Sequence, residues 1–148
     1  MDQEVAKRHF FEALENSAPE FERFFLARFF GLSISYDESP ERCIVEFPYA
    51  DFMNNPQGSL HGGVIAFALD VSMGHLCNRF LGTAVTLDMT TRFLRPIKDA
   101  ARCEAQFLKK GRSMAYVESR LFDAEGKLAA VASSAWRVRE PPEGEGGE

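Results

Sequence analysis

A chain of 148 residues, 45% hydrophobic and 26% charged, is long enough to bury one core and too short to need a second domain. A formal charge of −5 argues against broad nucleic-acid binding. Cys43, Cys77 and Cys103 have no paired spacing, which argues against a disulfide frame or a zinc site and for a reducing compartment, with the cytoplasm expected.

The opening MDQEVAKRHFF mixes acids into its start and has no cleavable apolar stretch, so neither export nor organelle import is expected. Asp2 to Asn16 reads as a helix with Val5, Phe10, Phe11 and Leu14 on one side. Ser17-Ala18-Pro19-Glu20 reads as a capping box that opens a second helix, which Gly31 stops. Half of the fourteen phenylalanines fall in these first residues: Phe10, Phe11, Phe21, Phe24, Phe25, Phe29 and Phe30. They suit helix-on-core packing or a hydrophobic lid over a ligand's apolar tail.

From Leu32 to Phe47 the period changes towards two, with Cys43, Val45 and Phe47 alternating against Ile44 and Glu46, as in a hairpin. Asn55-Pro56-Gln57-Gly58-Ser59 is turn chemistry. His61-Gly62-Gly63 then opens a helix to Leu81 with no wholly polar face. That run could nearly cross a bilayer, but Asp70 at its centre and His75, Asn78 and Arg79 after it argue for a helix wrapped by protein, with Asp70 in mid-core. Beyond it, Val85, Leu87, Met89, Thr91 and Phe93 alternate against Thr86, Asp88, Thr90 and Arg92 in a strand that Pro96 ends. Ala101–Leu108, Ser113–Phe122 and Leu128–Val138 are three more strands joined by two hairpin turns. The closing PPEGEGGE is polar, acidic and glycine-rich, as a disordered tail would be.

One long apolar helix and a meander of strands predict an α+β domain whose antiparallel sheet curls around the helix. Asn55, Gly58, His61-Gly62-Gly63 and Asp70, followed by Val85-Thr86-Leu87-Asp88-Met89, resemble the hotdog-fold acyl-CoA thioesterases of the phenylacetate-degradation (PaaI-like) type. The likeness runs from about Leu32 to Val138. It implies a hotdog thioesterase domain over 32–140, to which the residue patterns add an N-terminal helical extension over 1–31 and a disordered acidic tail over 141–148.

Part of the chemistry is legible without the family. Gly62 and Gly63 lie at a helix N-terminus, where backbone N–H groups lack partners, the dipole is positive and no side chain keeps a carbonyl away. Gly62 is the candidate oxyanion donor there, and Gly63 is a close-packing position that lines the substrate. Asp70 could act on a thioester carbonyl as general base for water or as nucleophile, and the sequence leaves both open. The resemblance adds Asn55 to orient the water or the acid, His61 to hold the loop or the thioester, and Thr86 to position water. His75 lies about 140° round the helix from Asp70 and reads as structural. Cys77 has no basic partner at a recognisable spacing and reads as packing.

Gly62 and Asp70 are eight residues apart on one helix, about 12 Å along its axis, too far for both to act on one carbon. Antiparallel helices about a twofold axis would bring Asp70 of one chain to Gly62 of another, so a homodimer at least is expected, with a tetramer open. Seven basic residues (Arg92, Arg95, Lys98, Arg102, Lys109, Lys110 and Arg112) against Asp99 and Glu104 make a local +5 suited to the phosphates of coenzyme A, or alternatively a protected strand edge. Arg92, Lys109, Lys110 and Arg112 are the candidate coenzyme A contacts. The expected activity is metal-free hydrolysis of acyl-CoA to free acid and coenzyme A. No cofactor is expected beyond the coenzyme A of substrate and product, and neither nucleic acid nor membrane is an expected partner. A non-catalytic acyl-CoA-binding module and a hotdog enoyl-CoA hydratase are the alternatives.

Overall fold

A computed structural model describes residues 1–139, so the predicted acidic tail lies outside the described residues. Helix α1 (Gln3–Asn16) is capped by Asp2, whose carboxylate accepts the N–H groups of Glu4 and Val5. It meets the protein through Val5, His9 and Ala13, one residue per turn. His9 lies edge-on to Phe52, with its Nδ1 2.8 Å from the Phe29 carbonyl oxygen. The expected apolar side is displaced accordingly, since Phe10, Phe11 and Leu14 are exposed.

The expected second helix is shorter than its capping signal suggests. Ser17 closes α1 by donating its N–H to the Ala13 carbonyl at 3.1 Å, and residues 18–24 run irregularly before α2 (Phe25–Phe29).

Strands β1 (Ser33–Glu38), β2 (Glu41–Phe47), β3 (Ala84–Phe93), β4 (Ala101–Lys110), β5 (Met114–Phe122) and β6 (Leu128–Val138) form one antiparallel sheet in the order β1-β2-β4-β5-β6-β3. Its concave face holds α3 (Gly62–Leu81), the helix expected from His61-Gly62-Gly63 to Leu81. Although α3 has the length and composition of a membrane span, the sheet buries much of it. The inner row Cys43, Ala105, Ser119 and Ala132 is made of small residues, which lets the strands close around the helix. Ser72 and Ser119 hydroxyls meet at 2.7 Å, and Ser134 donates to the Met73 sulfur at 3.1 Å, so these buried serines join helix and sheet with their hydroxyls paired.

Strand β3 is an edge strand, as β1 is at the other side of the sheet, and it carries a bulge between Thr86 and Asp88. Below the bulge Thr86 pairs with Trp136; above it Met89, Thr91 and Phe93 pair with Ser134, Ala132 and Ala130. Those partners face α3, so the extra residue brings Thr86 onto the same face as Met89, Thr91 and Phe93. Uninterrupted alternation would have sent Thr86 to the opposite face. The Asp88 side chain repairs the disrupted ladder by accepting the Ala135 N–H at 2.9 Å.

Trp136 closes the core beside α3 and is only 4% exposed. A Cβ on Gly74 would stand 2.9 Å from the indole, which Ser134 holds through a 2.5 Å bond from Nε1. Gly74→Ala is therefore expected to lower unfolding free energy by about 1–3 kcal/mol despite better helix propensity, measured by urea denaturation.

Candidate active site

The candidate residues gather at two places along α3. At its start His61 is the N-cap, and its Nδ1 accepts the Gly63 N–H at 2.9 Å. That bond removes Gly63 as a donor, while a Cβ there would stand 3.0 Å from the same nitrogen. Among the described residues the Gly62 N–H has no hydrogen-bond partner, which leaves it as the free donor of this helix end. A Cβ added at Gly62 would meet the Phe93 ring at 3.4 Å, an ordinary contact.

Asn55 is built into the preceding turn. Its Oδ1 accepts the N–H groups of Gln57 and Ser59 at 3.0 and 3.2 Å, and its Nδ2 donates to the Ser59 hydroxyl at 3.1 Å. One amide hydrogen is left for a ligand. Asn55, Gly62, Phe93 and Arg95 line a cavity of about 320 Å³.

Two turns further along α3, Asp70 is half-buried at the mouth of another cavity, rather than in mid-core, because the strand beside it is the exposed edge β3. Thr86 Oγ1 donates to Asp70 Oδ1 at 3.0 Å, the contact that the bulge makes available. Burial pushes the Asp70 carboxyl above the usual carboxylate range, and the Thr86 bond pulls it partly back. This second cavity, about 530 Å³, is bounded by Phe21, Phe24, Asp70, His75, Thr86 and Trp136. Trp136 and Phe93 were not candidates from sequence, because only the packing of β6 and β3 beside α3 brings them in, whereas Phe21 was among the phenylalanines expected to pack on the core or cover a ligand's apolar tail.

His75 does not act at this centre. Its Nδ1 lies 2.8 Å from the Val71 carbonyl oxygen and its Nε2 2.7 Å from that of Phe21. Cys77 is inert packing, its thiol pushed up to about 12 by burial.

The basic segment does not form one patch. Lys110 lies in the cross-strand row of Ala115, Trp136 and Thr86, whereas Arg92 lies in the row of Val131, Arg120 and Glu104, six residues further along β3, about 20 Å. Lys110 is paired with Glu41 at 2.6 Å, and Lys109 and Arg112 share its end of the sheet. Arg92, between inward Thr91 and Phe93, points away from α3. Arg95, which lines the Gly62 cavity, is the basic residue near a candidate donor.

A family model described as the thioesterase superfamily matches residues 57–130, half of the chain, and so takes in the whole of α3 and β3. The chain belongs to the thioesterase superfamily. Acyl-coenzyme A thioesterase 13 of Mus musculus is 30% identical over 97 residues, which span 62% of this chain and 69% of that protein. A Bacillus halodurans protein solved with CoA superposes with a TM-score of 0.78 at 23% identity, covering 94% of this chain and 91% of that one. The E. coli PaaI protein of the phenylacetic acid degradation operon superposes with a TM-score of 0.76, also at 23% identity, covering 89% and 96%. The hotdog architecture implied by the sequence is thus the one observed in this thioesterase-superfamily chain, and a PaaI protein is among its structural neighbours.

Proposed function

We propose that this superfamily member hydrolyses acyl-CoA thioesters to free acid and coenzyme A, in a homodimer whose sites are each assembled from two chains. The observation that carries this reading is the division of α3 into two incomplete halves, a free Gly62 N–H at its start and the Thr86-held Asp70 carboxylate about 12 Å along. Neither half suffices for thioester hydrolysis. Pairing through the free β3 edge would set the Gly62 cavity of one chain against the Asp70 cavity of another, giving two equivalent sites.

In such a site the Gly62 N–H, aligned with the positive end of α3, polarises the thioester carbonyl and stabilises the oxyanion as charge develops. Asp70 then removes the proton of an attacking water, or attacks the carbonyl itself and is released by water. Thr86 holds the carboxylate by one oxygen and leaves the other for the reaction. His61 contributes by fixing the first turn, and Asn55 by shaping the loop, with its free amide hydrogen aimed at ligand or water. The mouse relative's name and the CoA-bound Bacillus halodurans structure support acyl-CoA as the substrate class.

Thiol release measured over a panel of acyl-CoA substrates tests the activity; no release from any of them in a folded protein would overturn it. Because only ionised Asp70 can serve as base or nucleophile, the rate should rise with pH through its raised pKa. Thr86→Val removes the influence that lowers this pKa, so the acid limb of kcat/KM should move to higher pH. An unmoved limb would remove Thr86 from this role.

Arg95 is the expected contact for coenzyme A phosphates on the Gly62 side. Arg95→Ala should raise KM about tenfold for acyl-CoA and leave it nearly unchanged for the same acyl group on pantetheine, with kcat held. Equal effects on both substrates would count against phosphate binding.

A further inference from the structure

The cavity beside Asp70 has a wall that the proposed reaction does not use, the irregular run from Pro19 to Phe24. This run is fastened to α3. The Nε2 of His75, a residue only 3% exposed, meets the Phe21 carbonyl oxygen at 2.7 Å while its Nδ1 meets that of Val71 at 2.8 Å. A neutral ring donates to one of these oxygens and an imidazolium to both. The Phe21 ring stands edge-on to the same imidazole at 5.2 Å, and Phe24 stands edge-on to Phe67 of α3 at 6.1 Å. The irregular run before α2 is thereby held against α3 as one wall of the Asp70 cavity.

The lining has a definite chemistry. Pro19, Phe21, Phe24, Val71 and Trp136 offer apolar surface, and the two nitrogens of His75 already face carbonyl oxygens. The carboxylates of Glu20 and Asp70 are the acidic groups of the lining, and they repel an anionic tail. The volume, about 530 Å³, lies within the range of about 300–1,000 Å³ typical of small-molecule pockets. Asp70 at the rim places the reacting carbonyl at the mouth and the acyl group inside.

Resting on the thioesterase reading above, we propose that Pro19–Phe24 is the end wall of an acyl chamber, and that Phe21 and Phe24 set the length of the uncharged, apolar acyl group it admits. Phe21 is 40% exposed, so its replacement alters the wall without opening the core. Trp136 lines the chamber and is the single tryptophan of the chain, so its fluorescence reports occupancy directly.

The test titrates wild type, Phe21→Ala and Phe24→Ala by Trp136 fluorescence, and Phe21→Trp, which adds a second indole, by calorimetry, with S-alkyl thioethers of coenzyme A from butyl to dodecyl. These probes cannot be hydrolysed, so the readout is independent of turnover. Both alanine variants should raise the dodecyl-to-octyl affinity ratio about tenfold, the effect of burying roughly two further methylenes. Phe21→Trp should lower it. Thiol release from the matching acyl-CoA series should show the same shifts in kcat/KM. Chain-length profiles that superimpose on wild type for both the enlarging and the narrowing variants would overturn the chamber. If the thioether profiles shift as expected while wild type releases no thiol from any acyl-CoA, the chamber stands and the hydrolase reading fails.

Discussion

Asp70→Asn is expected to cut thiol release at least about 100-fold while the protein remains folded, the range for losing a general base or nucleophile. Asparagine fills the same volume and still accepts the Thr86 hydroxyl, but it can neither take a proton from water nor attack a carbonyl. Stability should move the other way. The folded-state pKa of Asp70 is raised, so the folded protein holds this proton more tightly than the unfolded chain does. The contribution of Asp70 to stability therefore falls as pH rises from the ordinary carboxylate range through the raised value, and above it the desolvated charge is a net cost. The neutral amide of the variant escapes that cost, so the melting temperature at neutral pH should be equal to or above wild type. Turnover within a few-fold of wild type, in a variant that melts normally, would exclude Asp70 from the chemistry.

Gly62→Pro is the sharper test of the other half-site. Gly62 is the first residue of α3, the position where proline is best tolerated, because its φ suits the helix and the missing N–H has no partner there. His61 before it is extended, at φ −61° and ψ 135°, the conformation that a following proline favours. The substitution thus deletes the free donor with little change to the fold, and thiol release should fall about 10²- to 10³-fold. Gly62→Ala keeps the N–H and adds a Cβ that meets Phe93 at an ordinary 3.4 Å, so it separates donor loss from the added side-chain atoms.

Combining the two lesions tests the shared site. Gly62→Pro and Asp70→Asn chains, unfolded together and refolded in equal amounts, should give about half mixed dimers, each with one intact site and one doubly damaged site. Roughly a quarter of wild-type activity should return. Mixed dimers seen by native mass spectrometry without that recovery would sink the two-chain site.

The sequence carried α3 to its last residue, because Gly-Gly after a His cap and an all-round apolar run are local signals that nothing in the tertiary structure opposes. Elsewhere local signals lost to packing. The Ser17–Glu20 capping box was overruled when Ser17 served as the end of α1. The Phe10, Phe11 and Leu14 face lost to the Val5, His9 and Ala13 stripe that fits the surface on offer. Net charge along the sequence suggested one basic patch, but a strand carries its two ends far apart in space. Only Arg95 of that run lines the candidate site.

Thr86 shows most clearly what pattern reading misses. Strict alternation from Val85 to Phe93 would put the apolar residues on one face and Thr86 on the other, yet Thr86 bonds Asp70. An extra residue in one strand leaves almost no mark in composition. It is visible only once β6 is laid beside β3.

That extra residue makes this edge unusual in how it tolerates change. Within one chain the Leu87 side chain is 53% exposed and makes no part of either cavity, so neither cavity demands a particular amino acid there. A residue must nonetheless be present. Shortening β3 by one residue would restore strict two-residue parity. The chain would then have to choose between turning Thr86 to Asp70 and turning Met89, Thr91 and Phe93 to the helix. Across descendants of this chain, the spacing between Thr86 and Met89 should therefore stay fixed even where the residue type at position 87 changes.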